Sequence, residues 1–171
     1  MTLNDPFATM RAVPALTITS TTVHDGQEFA PAQMSGLMGV TGGGDVSPQL
    51  SWSGAPAGTR SYAVTMYDPD APTGSGFWHW YIINLPGDAR HARNDYGDYN
   101  YGGACPPPGH GTHRYIFTIH ALDCEHLDLP EDTTTARVGF NVWAHSLGSA
   151  SLTGSMTEGT PTSTAPATMA V

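Results

Sequence analysis

The chain has 171 residues, 39% of them hydrophobic, and a formal net charge of −9, because six arginines and no lysine stand against fifteen acidic residues. Proteins that bind nucleic acids or dock on anionic membranes need clustered cations, so this charge balance argues against both partners. No stretch approaches the roughly 20 apolar residues of a membrane span. Residues 1–14 also lack the charged start and apolar run of a signal peptide, so we predict a cytoplasmic protein.

The length suits one globular domain with a core of its own. We divide the chain into an N-terminal arm (1–14), a single domain (15–156) and a flexible tail rich in Thr, Ser, Pro and Ala (157–171). The two cysteines, Cys105 and Cys124, are predicted to be free thiols, since we find no export signal.

The first part of the domain has the composition of short strands separated by turns. Residues 16–23 are rich in β-branched side chains and predict a strand. The glycines of 42–45 predict a loop, and a short extended segment is expected over 48–52.

The middle of the chain carries the clearest strand patterns. Alternation over 61–67 predicts a strand with Tyr62, Val64 and Met66 on one face. The almost wholly apolar run 77–85 predicts a central strand buried on both sides, and 114–122 predicts another strand. The polar segment 87–111 between them is expected to be a long functional loop, ordered by its tyrosines.

Apolar residues recur at helical spacing after Pro130, at Ala136, Phe140, Trp143 and Leu147. This stripe predicts one helix, with Asp132 or Thr133 as its N-cap.

Acidic and imidazole side chains collect around two stiff turns. Asp68 and Asp70 follow a predicted strand two residues apart, so in an extended chain both would face one side of the sheet. Two close carboxylates repel, which raises one pKa unless a cation or donor lies between them. His79 and His113 are the natural partners, because each belongs to a strand expected to end beside Asp68. An imidazolium with fixed donors, including backbone amides of 105–111, can hold a phosphate or carboxylate.

The same residues also have ordinary structural interpretations. Asp-Pro-Asp at 68–70 is a good turn former, and a histidine in an aromatic strand such as His79 is commonly a core residue. His110 and His113 are too few to bind zinc, so we predict no metal and no cofactor. Cys105 near these histidines could be an activated thiol, but no nucleophile elbow or phosphate-binding glycine loop accompanies it.

Several short segments occur in the order in which one protein family carries them. They are Ser47–Trp52, Asp68–Pro72, Phe77–Trp80 with Asn84–Pro86, Asn94–Gly97 and Gly102–Tyr115. Each segment alone is weak, but the ordered set resembles the phosphatidylethanolamine-binding protein (PEBP) family, in its bacterial Raf-kinase-inhibitor-like branch. The connection from Pro86 to Asn94 is shorter than in many relatives.

The resemblance implies a mainly β fold: a large central sheet packed on a smaller one, with a few peripheral helices. It also implies an anion pocket at one end of the large sheet, and a homodimer more often than a monomer. The pocket residues carried over by the resemblance are Asp68, Asp70, His79 and His113, then Pro72 after a cis peptide bond, Cys105, Pro106 and Pro107 as backbone and wall, and Tyr115 close by.

Three functions are compatible with such a pocket. The first is a non-enzymatic binding protein for a small anionic or phosphorylated ligand, such as a phospholipid headgroup. The second is a protein-interaction regulator, an inhibitor of a kinase or protease, whose partner inserts a phosphorylated or acidic side chain. A hydrolase with Asp68 or Asp70 as base and His113 as acid comes last, because the sequence offers no nucleophile or metal set.

Overall fold

The computed structural model describes residues 11–87 and 89–159, and most of the predicted arm and tail lies outside these residues. The helices and strands are β1 (Thr17–Thr19), a one-turn 3-10 helix (Pro31–Gln33), β2 (Ser51–Ser53), β3 (Ser61–Asp68), β4 (Phe77–Leu85), β5 (Arg90–His91), β6 (Thr112–Leu122), α1 (Thr135–His145) and β7 (Ser146–Thr157). Within these ranges no helix is both long enough and apolar enough to cross a membrane.

The fold is mainly β and contains two sheets, as predicted. The large sheet has five antiparallel strands in the order β5-β4-β3-β6-β7, and β1 and β2 form the small antiparallel sheet. The strands predicted over 61–67, 77–85 and 114–122 are all present. Strand β1 is shorter than expected because the Ser20 hydroxyl accepts hydrogen bonds from the amides of Thr22 and Val23, which turns the chain out of the strand.

The large sheet separates two apolar clusters, because alternate side chains of a strand point to opposite faces. On one face, Val64, Met66 and Phe117 belong to a cluster that includes Phe29 and is flanked by residues of the small sheet. On the other face, Tyr81 and other sheet residues pack against α1. The faces of β3 therefore match the predicted alternation.

The helix forms where it was predicted, but it buries a different stripe. Val138 and Val142 are its buried residues, whereas Phe140 and Trp143 are 64% and 40% exposed. The side chain of Thr134 accepts from the Arg137 amide and is the N-cap. The predicted apolar stripe was wrong, because Leu147 belongs to β7 and the smaller valines face the sheet. The predicted N-caps, Asp132 and Thr133, were wrong because the helix begins only at Thr135.

The cis peptide bond expected before Pro72 is instead found between Leu85 and Pro86; among the described residues it is the only one. Pro72 lies at the centre of a three-residue turn in which the Thr73 amide donates to the Ala71 carbonyl, 2.8 Å away. Such a turn reverses the chain with a trans bond, since proline already has a suitable φ.

The long loop after β5 is held on the edge of β4 by two polar side chains. Buried Asn94 donates to the carbonyls of His79 (3.3 Å) and Asn100 (2.9 Å), and it accepts from the Asp98 amide (3.0 Å). Asp95 accepts from the Trp78 amide at 2.8 Å. These bonds replace strand pairing, and they bring the loop against the end of the sheet that carries the predicted site.

Candidate functional site

A buried acid–imidazole pair stands at the centre of the site. His113 Nδ1 lies 2.7 Å from Asp68 Oδ2, and the two residues are 1% and 3% exposed. They meet because β3 and β6 are antiparallel neighbours, which puts the end of one strand beside the start of the other. Burial raises the pKa of Asp68, although its hydrogen bond with His113 opposes this rise. The predicted partnership of these two residues is thus present.

Asp70 is not a second carboxylate of the same cluster. The Arg114 guanidinium binds it through two bonds, Nε to Oδ2 (2.8 Å) and Nη2 to Oδ1 (2.7 Å), and the Arg114 amide donates to Oδ2 at 2.9 Å. These bonds hold the pKa of Asp70 below its usual value. The chain leaves the strand at Asp68, whose side chain accepts from the Asp70 amide at 2.8 Å, so the carboxylates separate. Asp-Pro-Asp therefore also serves as the turn that its composition suggests.

His79 is buried in the floor of the site as a neutral imidazole. Its Nδ1 lies 3.1 Å from the Gly102 carbonyl, which can only accept, so this nitrogen carries the proton and Nε2 is an acceptor. Burial lowers the pKa of His79 to about 4. One charged imidazole was considered for this site, and His79 does not supply it.

Tyr115 has a buried hydroxyl for which the described residues provide no hydrogen-bond partner. Its ring lies edge-on to His79, with 5.2 Å between the ring centres, and the residue is fully buried. Burial raises the pKa of this phenol, the Asp68 charge raises it further, and the nearby Cys105 amide opposes both. A buried hydroxyl normally has a partner, so this one has a hydrogen-bonding capacity that the described residues do not use.

The loop from 102 to 111 forms the wall of the site. Pro106 is buried, while Cys105 and Pro107 are partly exposed. Cys105 and Cys124 are free thiols, as predicted, and burial raises the pKa of Cys105.

Backbone amides of the 105–111 segment, which were expected to face an anion, and of the two residues before it already have acceptors in the protein. Those of Gly103 and Ala104 donate to Asp45 Oδ1 and to the Gln33 carbonyl, 3.1 Å away in each case. The Gly109 amide donates to the Glu158 carboxylate. The backbone therefore offers fewer donors here than the glycines suggest, and side chains must do more of the binding.

Some neighbours of the site were not predicted. The Tyr96 hydroxyl lies 3.5 Å from His79 Nδ1, and His110 Nδ1 lies 3.4 Å from His113 Nε2. The sequence contained a signal for Arg114, because a carboxylate pair needs a cation and Arg114 directly follows His113. Tyr96 lies within one of the family-like segments but had no assigned role. Pro72, by contrast, lies in the exposed turn between β3 and β4.

Comparison with known proteins agrees with this architecture. The model of the phosphatidylethanolamine-binding protein family matches residues 19–157. The chain belongs to this family. It is 47% identical over 152 residues to the UPF0098 protein YbhB of Escherichia coli K12, an alignment that covers 78% of this chain and 95% of YbhB. The crystal structure of E. coli YbcL, described as a new member of the mammalian PEBP family, has a TM-score of 0.77 at 37% identity and covers 82% of this chain and 96% of YbcL.

This PEBP chain also has a cavity of about 710 Å³ on the opposite face of the sheet. Trp78, Phe140 and Trp143 line it, together with Thr118 and His120 of β6. None of the predicted site residues lines this cavity. Asp68 and His113 point to the other face, so the two features are chemically separate.

Proposed function

We propose that the protein is a non-enzymatic binding protein for a small phosphate-bearing anion, held at the site of Asp68, His79, His113 and Tyr115. The family name indicates phosphatidylethanolamine for the family as a whole, and the headgroup supplies the chemistry that this chain would recognise. The observation that carries the proposal is the buried Tyr115 hydroxyl without a partner. A hydrogen bond from this hydroxyl to a phosphate oxygen would satisfy it.

The charges around the site support the same function. The Asp68 carboxylate is hydrogen-bonded to His113, and the Asp70 carboxylate is paired with the Arg114 guanidinium, so both carboxylates already have partners in the protein. His79 contributes Nε2 as an acceptor, which suits a protonated phosphate oxygen or the ammonium group of phosphoethanolamine. The site offers hydrogen bonds rather than a strong positive charge, so we expect modest affinity and selectivity for groups that both donate and accept.

Tyr115→Phe is the sharpest test, because it removes only the hydroxyl. Isothermal titration calorimetry with inorganic phosphate, phosphoethanolamine and acetate would compare this variant with the wild type. We expect the wild type to bind the phosphate compounds, and the variant to bind them roughly tenfold to a hundredfold more weakly, the value of a hydrogen bond to a charged group. Folding stability should fall little, since the hydroxyl makes no well-formed hydrogen bond to a described residue and only the Cys105 amide lies near it.

Tyr101→Phe is the matched control. The Tyr101 hydroxyl is also buried, but it donates to the Gln33 carbonyl at 3.0 Å. This control should lose stability and keep its affinity for phosphate compounds. Unchanged affinity in Tyr115→Phe, or no binding of phosphate compounds by the wild type, would contradict the proposal.

A protein-interaction regulator is the second candidate, and the apolar rim of the site favours it. Leu37, Met38 and Val46 are 84%, 55% and 53% exposed, and the Cys105 thiol lies 3.9 Å from the Met38 carbonyl. A partner that inserts a phosphorylated side chain would cover this rim, as would a second copy of the chain in a homodimer. Met38→Glu should then weaken binding of a phosphoserine peptide but not of inorganic phosphate, and equal losses for both would argue against a role of the rim. The cytoplasmic location and the homodimer stay predictions.

A further inference from the structure

Three side chains of types that can bind a metal ion meet at one end of β6, opposite to the end that carries the Asp68–His113 pair. Asp123 and Cys124 directly follow this strand, and His145 is the last residue of α1. A carboxylate oxygen, the thiol sulfur and an imidazole nitrogen of these residues all lie within 4.8 Å of one another. His113 stands at the opposite end of the strand, roughly 30 Å away at the usual rise per residue.

The backbones of these three residues are fixed in relation to one another. The Asp123 amide donates to the His145 carbonyl at 3.1 Å, and His145 Nδ1 lies 2.7 Å from Asp123 Oδ1. The Cys124 carbonyl accepts from the Ser61 hydroxyl at 2.6 Å. Two secondary-structure elements and a neighbouring strand therefore hold the cluster, which is the kind of support that a preorganised metal site needs.

The ligand types select the class of metal. Thiolate sulfur, imidazole nitrogen and carboxylate oxygen together suit zinc and related transition metals rather than calcium or magnesium, which prefer oxygen alone. Zinc bonds of about 2.0–2.3 Å place tetrahedral ligand atoms roughly 3.5 Å apart, so no separation within the cluster needs to shorten by more than about 1.3 Å. The side chains of His145 and Asp123 are 42% and 50% exposed, so they have room for this movement.

We propose that Asp123, Cys124 and His145 bind Zn²⁺ or a closely related transition-metal ion, with water in the fourth position. The ion would replace the hydrogen bond between His145 and Asp123, and it would tie the end of α1 to the end of β6. This site departs from our expectation of no metal, which considered only His110 and His113. It is independent of the phosphate site proposed above.

Cobalt is the probe, because Co²⁺ occupies zinc sites and a bound thiolate gives it a charge-transfer band in the near ultraviolet. We expect the reduced full-length protein to develop this band during a Co²⁺ titration and to lose it when Zn²⁺ is added. Cys124→Ser should abolish the band. Cys105→Ser is the matched control and should keep it, since the chain has only these two cysteines.

His145→Gln provides a second test that does not depend on the cysteine. We expect it to weaken Co²⁺ binding by at least roughly tenfold, and Zn²⁺ should raise the melting temperature of the wild type but not of this variant. Circular dichroism checks that each variant is folded. If Cys124→Ser does not fold, the metal affinity of His145→Gln alone tests the proposed site. No thiolate band in the wild type, a band that survives Cys124→Ser, or unchanged affinity in His145→Gln would overturn the proposal.

Discussion

Two histidines of the large sheet, His79 and His120, should make the fold sensitive to mild acid. Burial lowers the pKa of His79 and of His120 to about 4, from the ordinary value of 6.5. Between these values the unfolded chain binds protons that the folded chain does not. The free energy of unfolding therefore falls as the pH falls from about 6.5 towards 4.

The size of this loss follows from the two pKa values. At pH 5, a shift from 6.5 to about 4 destabilises the folded state by about 2 kcal/mol for a fully buried histidine such as His79. His120 is less completely buried, so we expect about 1–2 kcal/mol from it. The sum is a large part of the roughly 5–15 kcal/mol that stabilises a typical domain. Burial raises the pKa of Asp68, whose protonation in acid favours the folded state and opposes part of this loss.

Urea unfolding followed by tryptophan fluorescence at pH 7, 6 and 5 would measure the effect. His120→Leu removes one titrating group without removing a described hydrogen bond, so its stability should fall with pH by about 1–2 kcal/mol less than that of the wild type. Thr118→Val is the control, because Thr118 lines the same cavity and does not titrate. If the free energy of unfolding fell by the same amount between pH 7 and pH 5 in the wild type and in His120→Leu, the reasoning would be refuted.

Two further predictions concern packing and use the same unfolding measurement at pH 7. Val138→Ala should lower the free energy of unfolding by about 2 kcal/mol because the residue is 1% exposed. Phe140→Ala should lower it by less than about 1 kcal/mol, because Phe140 is 64% exposed. A larger loss in Phe140→Ala than in Val138→Ala would support the buried stripe predicted from the sequence. Gly154→Ala should lower the free energy of unfolding by about 1–3 kcal/mol, because the added methyl group would overlap the ring of Phe29. An unchanged free energy of unfolding would show that this ring moves freely.

The strands were predictable because each leaves a simple mark in the sequence. Alternation identified the faces of β3, and an apolar run identified β4. The order of neighbouring strands then decides which distant residues meet, so the partnership of Asp68 with His113 followed from two strand ends. Neither inference needs the conformation of a loop.

The features that were missed depend on choices that the sequence leaves open. Helix α1 carries two apolar stripes, and only packing decides that the valines rather than Phe140 and Trp143 face the sheet. The direction of Asp70 depends on where β3 ends, which alternation does not determine. His79 does not bond to Asp68 as expected; the register between β3 and β4 shifts between Met66 and Tyr67, and its ring points at the Gly102 carbonyl.

The site is divided between two kinds of structure that can change separately during evolution. Asp68, His79, His113 and Tyr115 stand on strands of one sheet, whereas Tyr96 and the wall from Cys105 to Pro107 stand on the loop that Asn94 anchors. Loops accept insertions and substitutions far more readily than strands do. We therefore expect relatives to differ most in this loop, and a loop exchange between them would replace the wall of the site while leaving the acid–imidazole pair in place.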